Sequence, residues 1–113
     1  MAIIYHLASK SEWEAARTQP EYRAESLALE GFIHCSKDQA QALAVANRLY
    51  AGRSDLLVLE VDTDRLTSPL KHEPSRSGEV YPHIYGPINT DAVVGVLSLV
   101  TGEDGKFNSV EAG

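Results

Sequence analysis

Leu56-Leu57-Val58-Leu59-Glu60-Val61 is almost wholly apolar, and it limits the fold more than any other stretch. It reads as a strand buried on both faces. Ala92 to Val100 is the longest apolar run, interrupted by Gly95 and Ser98 and ended by Thr101-Gly102. It reads as the last strand. It falls short of the roughly 20 residues needed to cross a bilayer. Strands and helices are interspersed early in the chain, and strands dominate later. This order predicts an α+β domain with two helices against a mixed or antiparallel β-sheet. At 113 residues the chain can bury one core without staples. The domain is expected over residues 1–101. Residues 102–113 carry Glu103, Asp104, Lys106 and Glu111 with no periodic apolar face, and are expected to form a flexible tail that frays beyond Phe107.

The earlier elements follow from local signals. Ala2 to Leu7 is rich in β-formers and predicts a first strand. Alternation puts Ile4 and His6 on one face, with Ile3, Tyr5 and Leu7 on the other. Ser9-Lys10-Ser11-Glu12 is a capping box opening a helix that carries Trp13 and ends near Thr18, before Pro20. Glu21 to Ala28 reads as a loop with one short turn. Gly31 supplies a turn or a close backbone approach ahead of a central strand, Phe32-Ile33-His34-Cys35. Ser36 is the expected N-cap of a second helix. Its stripe is Ala40, Leu43, Ala44, Ala46 and Tyr50, and Ala51-Gly52 closes it. Leu70 to Glu73 reads as a short strand and Pro74 to Gly78 as an exposed loop. Val80 to Tyr85 resumes β character, with Pro82 restricting it to an edge or an irregular strand.

Bulk properties narrow the function classes. With 43% hydrophobic and 23% charged residues the chain is of soluble globular type. A net charge of −6 disfavours non-specific nucleic-acid binding. The amino terminus has no basic n-region or cleavage signal, and membrane insertion is not expected. One cysteine cannot form an internal disulfide, which suits a reducing cytoplasm.

Chemistry concentrates in three β-prone segments: Tyr5-His6-Leu7, Glu30 to Ser36, and Tyr81 to Gly86. Their histidines are expected to line one pocket. Tyr81, His83 and Tyr85 share a face by alternation, offering two phenols and an imidazole for stacking and hydrogen bonding. Glu73 is the carboxylate placed by context for acid–base work with a histidine. The helix start at Ser36-Lys37-Asp38 could seat an anion. His6, His34 and His83 with Cys35 would suit a tetrahedral zinc ion, but no short ligand spacing accompanies them, so no metal site is assigned. Cys35 reads as a small core residue in preference to a nucleophile, and His72 as a surface residue.

The set Tyr5-His6-Leu7, Trp13, Ser26-Leu27, Glu30-Gly31-Phe32-Ile33-His34-Cys35-Ser36, Val45-Ala46-Asn47, Leu57-Val58-Leu59-Glu60 and Pro82-His83-Ile84-Tyr85-Gly86-Pro87 resembles the bacterial family of domain of unknown function 952. The match runs from about Ile3 to Val96. It implies a small cytoplasmic protein or an appended domain. That family looks distantly similar to the ADP-ribosyltransferase superfamily, which would imply a split β-sheet and a nicotinamide dinucleotide cleft. On that similarity His6 matches the first-strand residue that holds NAD, and Ser36 the second-strand hydroxyl. The late catalytic glutamate has no clear counterpart, since His83 and Tyr85 occupy that region and Glu73 lies earlier.

The resulting expectation is a pocket for a nucleotide-like ligand such as NAD or ADP-ribose, with ADP-ribosyltransferase-like chemistry. His6, His34, Ser36, Tyr81 and Tyr85 would bind, and His83 or Glu73 would move protons. A non-catalytic module for anionic metabolites and a histidine-based metal site are the alternatives. The oligomeric state is left open.

Overall fold

The computed structural model describes residues 2–112. Met1 and Gly113, expected in the domain and its tail, lie outside the described residues. The strands are β1 (Ile3–Ser9), β2 (Glu21–Tyr22), β3 (Ile33–His34), β4 (Leu56–Asp62), β5 (Leu70–Pro74), β6 (Val80–Ile84), β7 (Ile88–Asn89), β8 (Val93–Thr101) and β9 (Phe107–Ala112). The helices are α1 (Lys10–Ala16), α2 (Glu25–Glu30) and α3 (Gln39–Leu49). Three antiparallel sheets result: β1-β4-β8-β9, β2-β7 and β3-β6-β5. The fold is therefore a small α+β domain with three helices, one more than expected. No helix among the described residues is long and apolar enough to cross a membrane.

β4 is covered on both sides, as its composition requires. Leu59 and Val61 join Ile4, Ala8, Trp13, Tyr22, Ile33 and Ile84 in the main core. Leu56 faces the other way, with Ala46 and Phe107 in a smaller core. Ser9 caps α1, its Oγ accepting from the Glu12 N–H (3.2 Å), while the Glu12 carboxylate returns to the Ser9 hydroxyl (2.9 Å), so the predicted cap is present without the reciprocal backbone bond of a full box.

Several local expectations are corrected. The segment read as a loop with one short turn, Glu21 to Ala28, holds β2 and the first part of α2, which ends where Gly31 adopts a left-handed conformation (φ 86°). A Cβ there would meet nothing within 4 Å, so Gly31 serves the turn and no close approach. Ser36 does not cap α3, because its backbone is committed to β1. Tyr5 N–H donates to Ser36 O (2.9 Å) and Ser36 N–H to Tyr5 O (2.7 Å). Asp38 caps instead, accepting from the Gln41 N–H. The α3 stripe runs through Ala42, Leu43, Ala46 and Tyr50, leaving Ala40 and Ala44 exposed. β6 is the central strand of its sheet despite Pro82. The Pro82 carbonyl still accepts from the Cys35 N–H (3.0 Å). Its nitrogen faces the same neighbour, where the two-residue pairing with β3 has ended.

The expected fraying tail forms β9, paired with β8. Phe107 anchors it in the smaller core, and Asn47 of α3 grips its backbone from both sides. Asn47 Nδ2–H donates to Phe107 O (2.9 Å), and Phe107 N–H donates to Asn47 Oδ1 (2.7 Å). Phe107→Ala should cost about 3 kcal/mol in chemical denaturation, the usual range for emptying a buried aromatic site. Loss of β9 amide protection in hydrogen exchange would localise the effect.

His6 points into the main core. Its Nδ1–H donates to the His34 carbonyl (2.7 Å), which leaves Nε2 to accept from the Tyr22 hydroxyl (3.1 Å). Burial lowers its pKa from 6.5 to about 4. Above pH 6.5 neither folded nor unfolded chain holds the extra proton. Below it the unfolded chain binds the proton first, so stability falls as pH drops towards 4. We expect about 2 kcal/mol of this loss between pH 7 and pH 5. His6→Asn should flatten that slope in urea midpoints, and an equal slope in the variant would contradict the assignment.

Candidate functional site

Alternation along β6 turns Pro82 and Ile84 inward and keeps Tyr81, His83 and Tyr85 together on one face, as predicted, and that face is the outward one. β3 and β5 flank this strand. His34 lies directly opposite His83 from one side, and Lys71 from the other. Glu73 lies opposite Tyr81. The His34 and His83 rings meet edge to face with centroids 5.3 Å apart. Phe32 stacks on His83 at 4.3 Å and touches His34 at 4.8 Å and Tyr85 at 5.3 Å. The Lys71 ammonium sits over the Tyr85 ring at 4.8 Å.

Each imidazole has its own carboxylate. His34 Nε2–H donates to Glu30 Oε2 (2.7 Å), and His83 Nδ1–H donates to Glu73 Oε1 (2.9 Å). The Tyr85 hydroxyl donates to the same Glu73 oxygen. These two bonds, the phenol first, hold the Glu73 carboxyl below the usual carboxylate range. The same phenol is pushed above its ordinary value by Glu73. Because an ionised carboxylate only accepts, each ring presents an N–H to it, which leaves His83 Nε2 and His34 Nδ1 as the two ring nitrogens not bonded to a carboxylate. The His34 side chain is 53% exposed and that of His83 12%. One imidazole is thus half open to water and the other is held under an aromatic ring.

The structure brings His34, His83, Glu73 and Tyr85 together, with Tyr81 at the margin. The Tyr81 hydroxyl donates to Glu79 (3.1 Å), which also accepts from buried Gln41. His6 and Ser36 do not join them. Both are buried, His6 with both ring nitrogens engaged in the core and Ser36 in the bridge to Tyr5. The expected convergence of three histidines on one pocket is therefore corrected to two histidines on an open sheet face. A hollow of about 340 Å³ beside Trp13, Lys10 and Arg17 shares no residue with that face.

At the start of α3 two backbone donors are already taken, Lys37 N–H by Gln41 Oε1 and Gln41 N–H by Asp38 Oδ1, and the Asp38 carboxylate there opposes an anion. Cys35 is buried, and burial pushes its thiol up, which keeps it a neutral core residue. Among the described residues no three His, Cys, Asp or Glu side chains form a group able to hold a metal. His72 is exposed, as expected.

Sequence reasoning missed Glu30, Phe32 and Lys71 as members of the site. Phe32 and Lys71 carried a usable signal, since alternation aligns Phe32 with His34 and Lys71 with Glu73. Glu30 carried little. Its four-residue spacing to His34 crosses Gly31, and only the turn made there folds the end of α2 back over β3.

The fold is similar to that of a protein from Caulobacter crescentus. The crystal structure of protein CC0527 superposes with a TM-score of 0.82 at 33% identity, covering 94% of this chain and 93% of that one. Its solution structure gives a TM-score of 0.78 at 34% identity, covering 94% and 91%. No curated protein matches. A family model matches residues 7–96, and the chain belongs to the family described as Protein of unknown function (DUF952).

Proposed function

We propose that the outer face of the β3-β6-β5 sheet binds a nucleotide-like ligand, such as NAD or ADP-ribose, and that His83 with Glu73 moves protons there. The observation that carries this reading is the joining of two carboxylate-oriented imidazoles with the Phe32 ring on one exposed face. Phe32 and Tyr85 offer surfaces for a flat base, Lys71 a positive charge for phosphate, and His34 a donor or acceptor for ribose hydroxyls. Glu73 keeps the His83 ring in one tautomer, so Nε2 can take a proton from a bound hydroxyl. ADP-ribosyltransferase-like transfer is the catalytic form of this reading. In it His34 and His83 would do the holding first expected of His6 and Ser36.

Thermal denaturation with NAD, ADP-ribose and zinc separates the possibilities. A ligand bound selectively by the folded chain adds about 2.7 kcal/mol at a hundred times its Kd. ADP-ribose is expected to raise Tm, with the gain lost in Phe32→Ala and reduced in His83→Ala. Release of nicotinamide from NAD would mark a transferase, and a Tm gain without release a binding module. Stabilisation by zinc that disappears in His34→Ala, with none from either nucleotide, would replace this reading with the metal site.

A further inference from the structure

The two imidazoles have complementary free nitrogens. Nε2 of His83 and Nδ1 of His34 are the positions left open once Glu73 and Glu30 have taken their partners. Their rings are immediate neighbours, 5.3 Å between centroids, so both can address one phosphate group. Lys71, opposite His83, rests on the Tyr85 ring, where its charge also acts on the Glu73 carboxylate. Two imidazoles and an amine are sufficient to move a phosphodiester, because that reaction needs one proton removed, one delivered and negative charge offset.

We infer that this face cleaves ribonucleotide phosphodiesters through the neighbouring 2′-hydroxyl. The inference rests on the nucleotide reading above and adds the reaction. Neutral His83 takes the 2′-hydroxyl proton on Nε2 while the 2′-oxygen forms a bond to phosphorus. The bond from phosphorus to the 5′-oxygen of the leaving nucleoside breaks, and that oxygen keeps the electron pair. Charged His34 delivers its Nδ1 proton to it. His34 has the acid role because it is the more exposed ring and exchanges protons with water more readily. The products are a 2′,3′-cyclic phosphate and a free 5′-hydroxyl. Water then enters with the roles reversed. His34 takes its proton, the new hydroxyl opens the cyclic phosphate, and His83 returns a proton to the 2′-oxygen. Both rings regain their starting states and no other reactant is consumed. Glu30 and Glu73 act through the rings as positioning residues.

The test uses the full chain with uridylyl-(3′→5′)-adenosine and its 2′-deoxy analogue, followed by phosphorus NMR. The ribonucleotide should pass through the cyclic phosphate while the deoxy analogue stays intact. His34→Ala and His83→Ala should each lower the rate about a hundredfold or more. Because one ring must be charged and the other neutral, the wild-type rate should be bell-shaped in pH, and Glu73→Gln should move one limb of the bell. His34 is exposed, so its variant is expected to fold, and circular dichroism checks this. An uncleaved ribonucleotide, or cleavage that persists in folded His34→Ala, overturns the inference. Thermal denaturation with ADP-ribose on the same preparation separates the two readings. A Tm gain without cleavage removes the reaction alone, and no gain together with no cleavage removes both.

Discussion

The architecture depends on the crossing of β1 with the chain just beyond β3. Tyr5 and Ser36 exchange two backbone hydrogen bonds there, and the adjacent His6 ring donates to the His34 carbonyl. These bonds join the four-stranded sheet to the three-stranded one. His6 and Ser36 are buried there, so their polar groups must find protein partners or carry a desolvation penalty. His6 meets the requirement with both nitrogens, and Tyr22 completes the set from β2. Trp13 and Tyr22 pack edge to face beside it, tying α1 into the same centre.

This junction links the core to the candidate site. The buried imidazole holds the backbone of the residue whose own imidazole is exposed. His34 is thereby fixed opposite His83, and Glu30 reaches it from α2 because Gly31 turns the chain through a left-handed conformation. On the other side, β5 brings Glu73 within one hydrogen bond of His83 and of Tyr85. Three short strands therefore present carboxylates, imidazoles, an amine and aromatic rings on one surface, with each imidazole turned by its own carboxylate.

The local periodicities were legible because they depend only on near neighbours. The face shared by Tyr81, His83 and Tyr85, the inward turn of Ile33 and Cys35, and the Ser9–Glu12 cap could all be read from spacing. The burial of β4 on both sides followed from its composition. The exchange of N-cap from Ser36 to Asp38 could not be read. It depends on whether the Ser36 backbone is already bonded, and that partner, Tyr5, is distant in sequence. The C-terminal strand was missed for the same reason. Its order comes from Asn47 and from the pocket around Phe107, neither of which leaves a periodic trace in residues 102–113.

By itself the sequence determined which residues face outward on each strand and which segments carry the chemistry, since side-chain alternation is a property of the strand alone. Only the tertiary structure decided which histidines meet. His6, His34 and His83 are equally plausible partners along the chain. The order of strands and the crossing at Tyr5 and Ser36 put two of them on an open face and seal the third in the core. Strand order arises from long-range backbone pairing and the burial it permits, and a local pattern of residue types does not encode it.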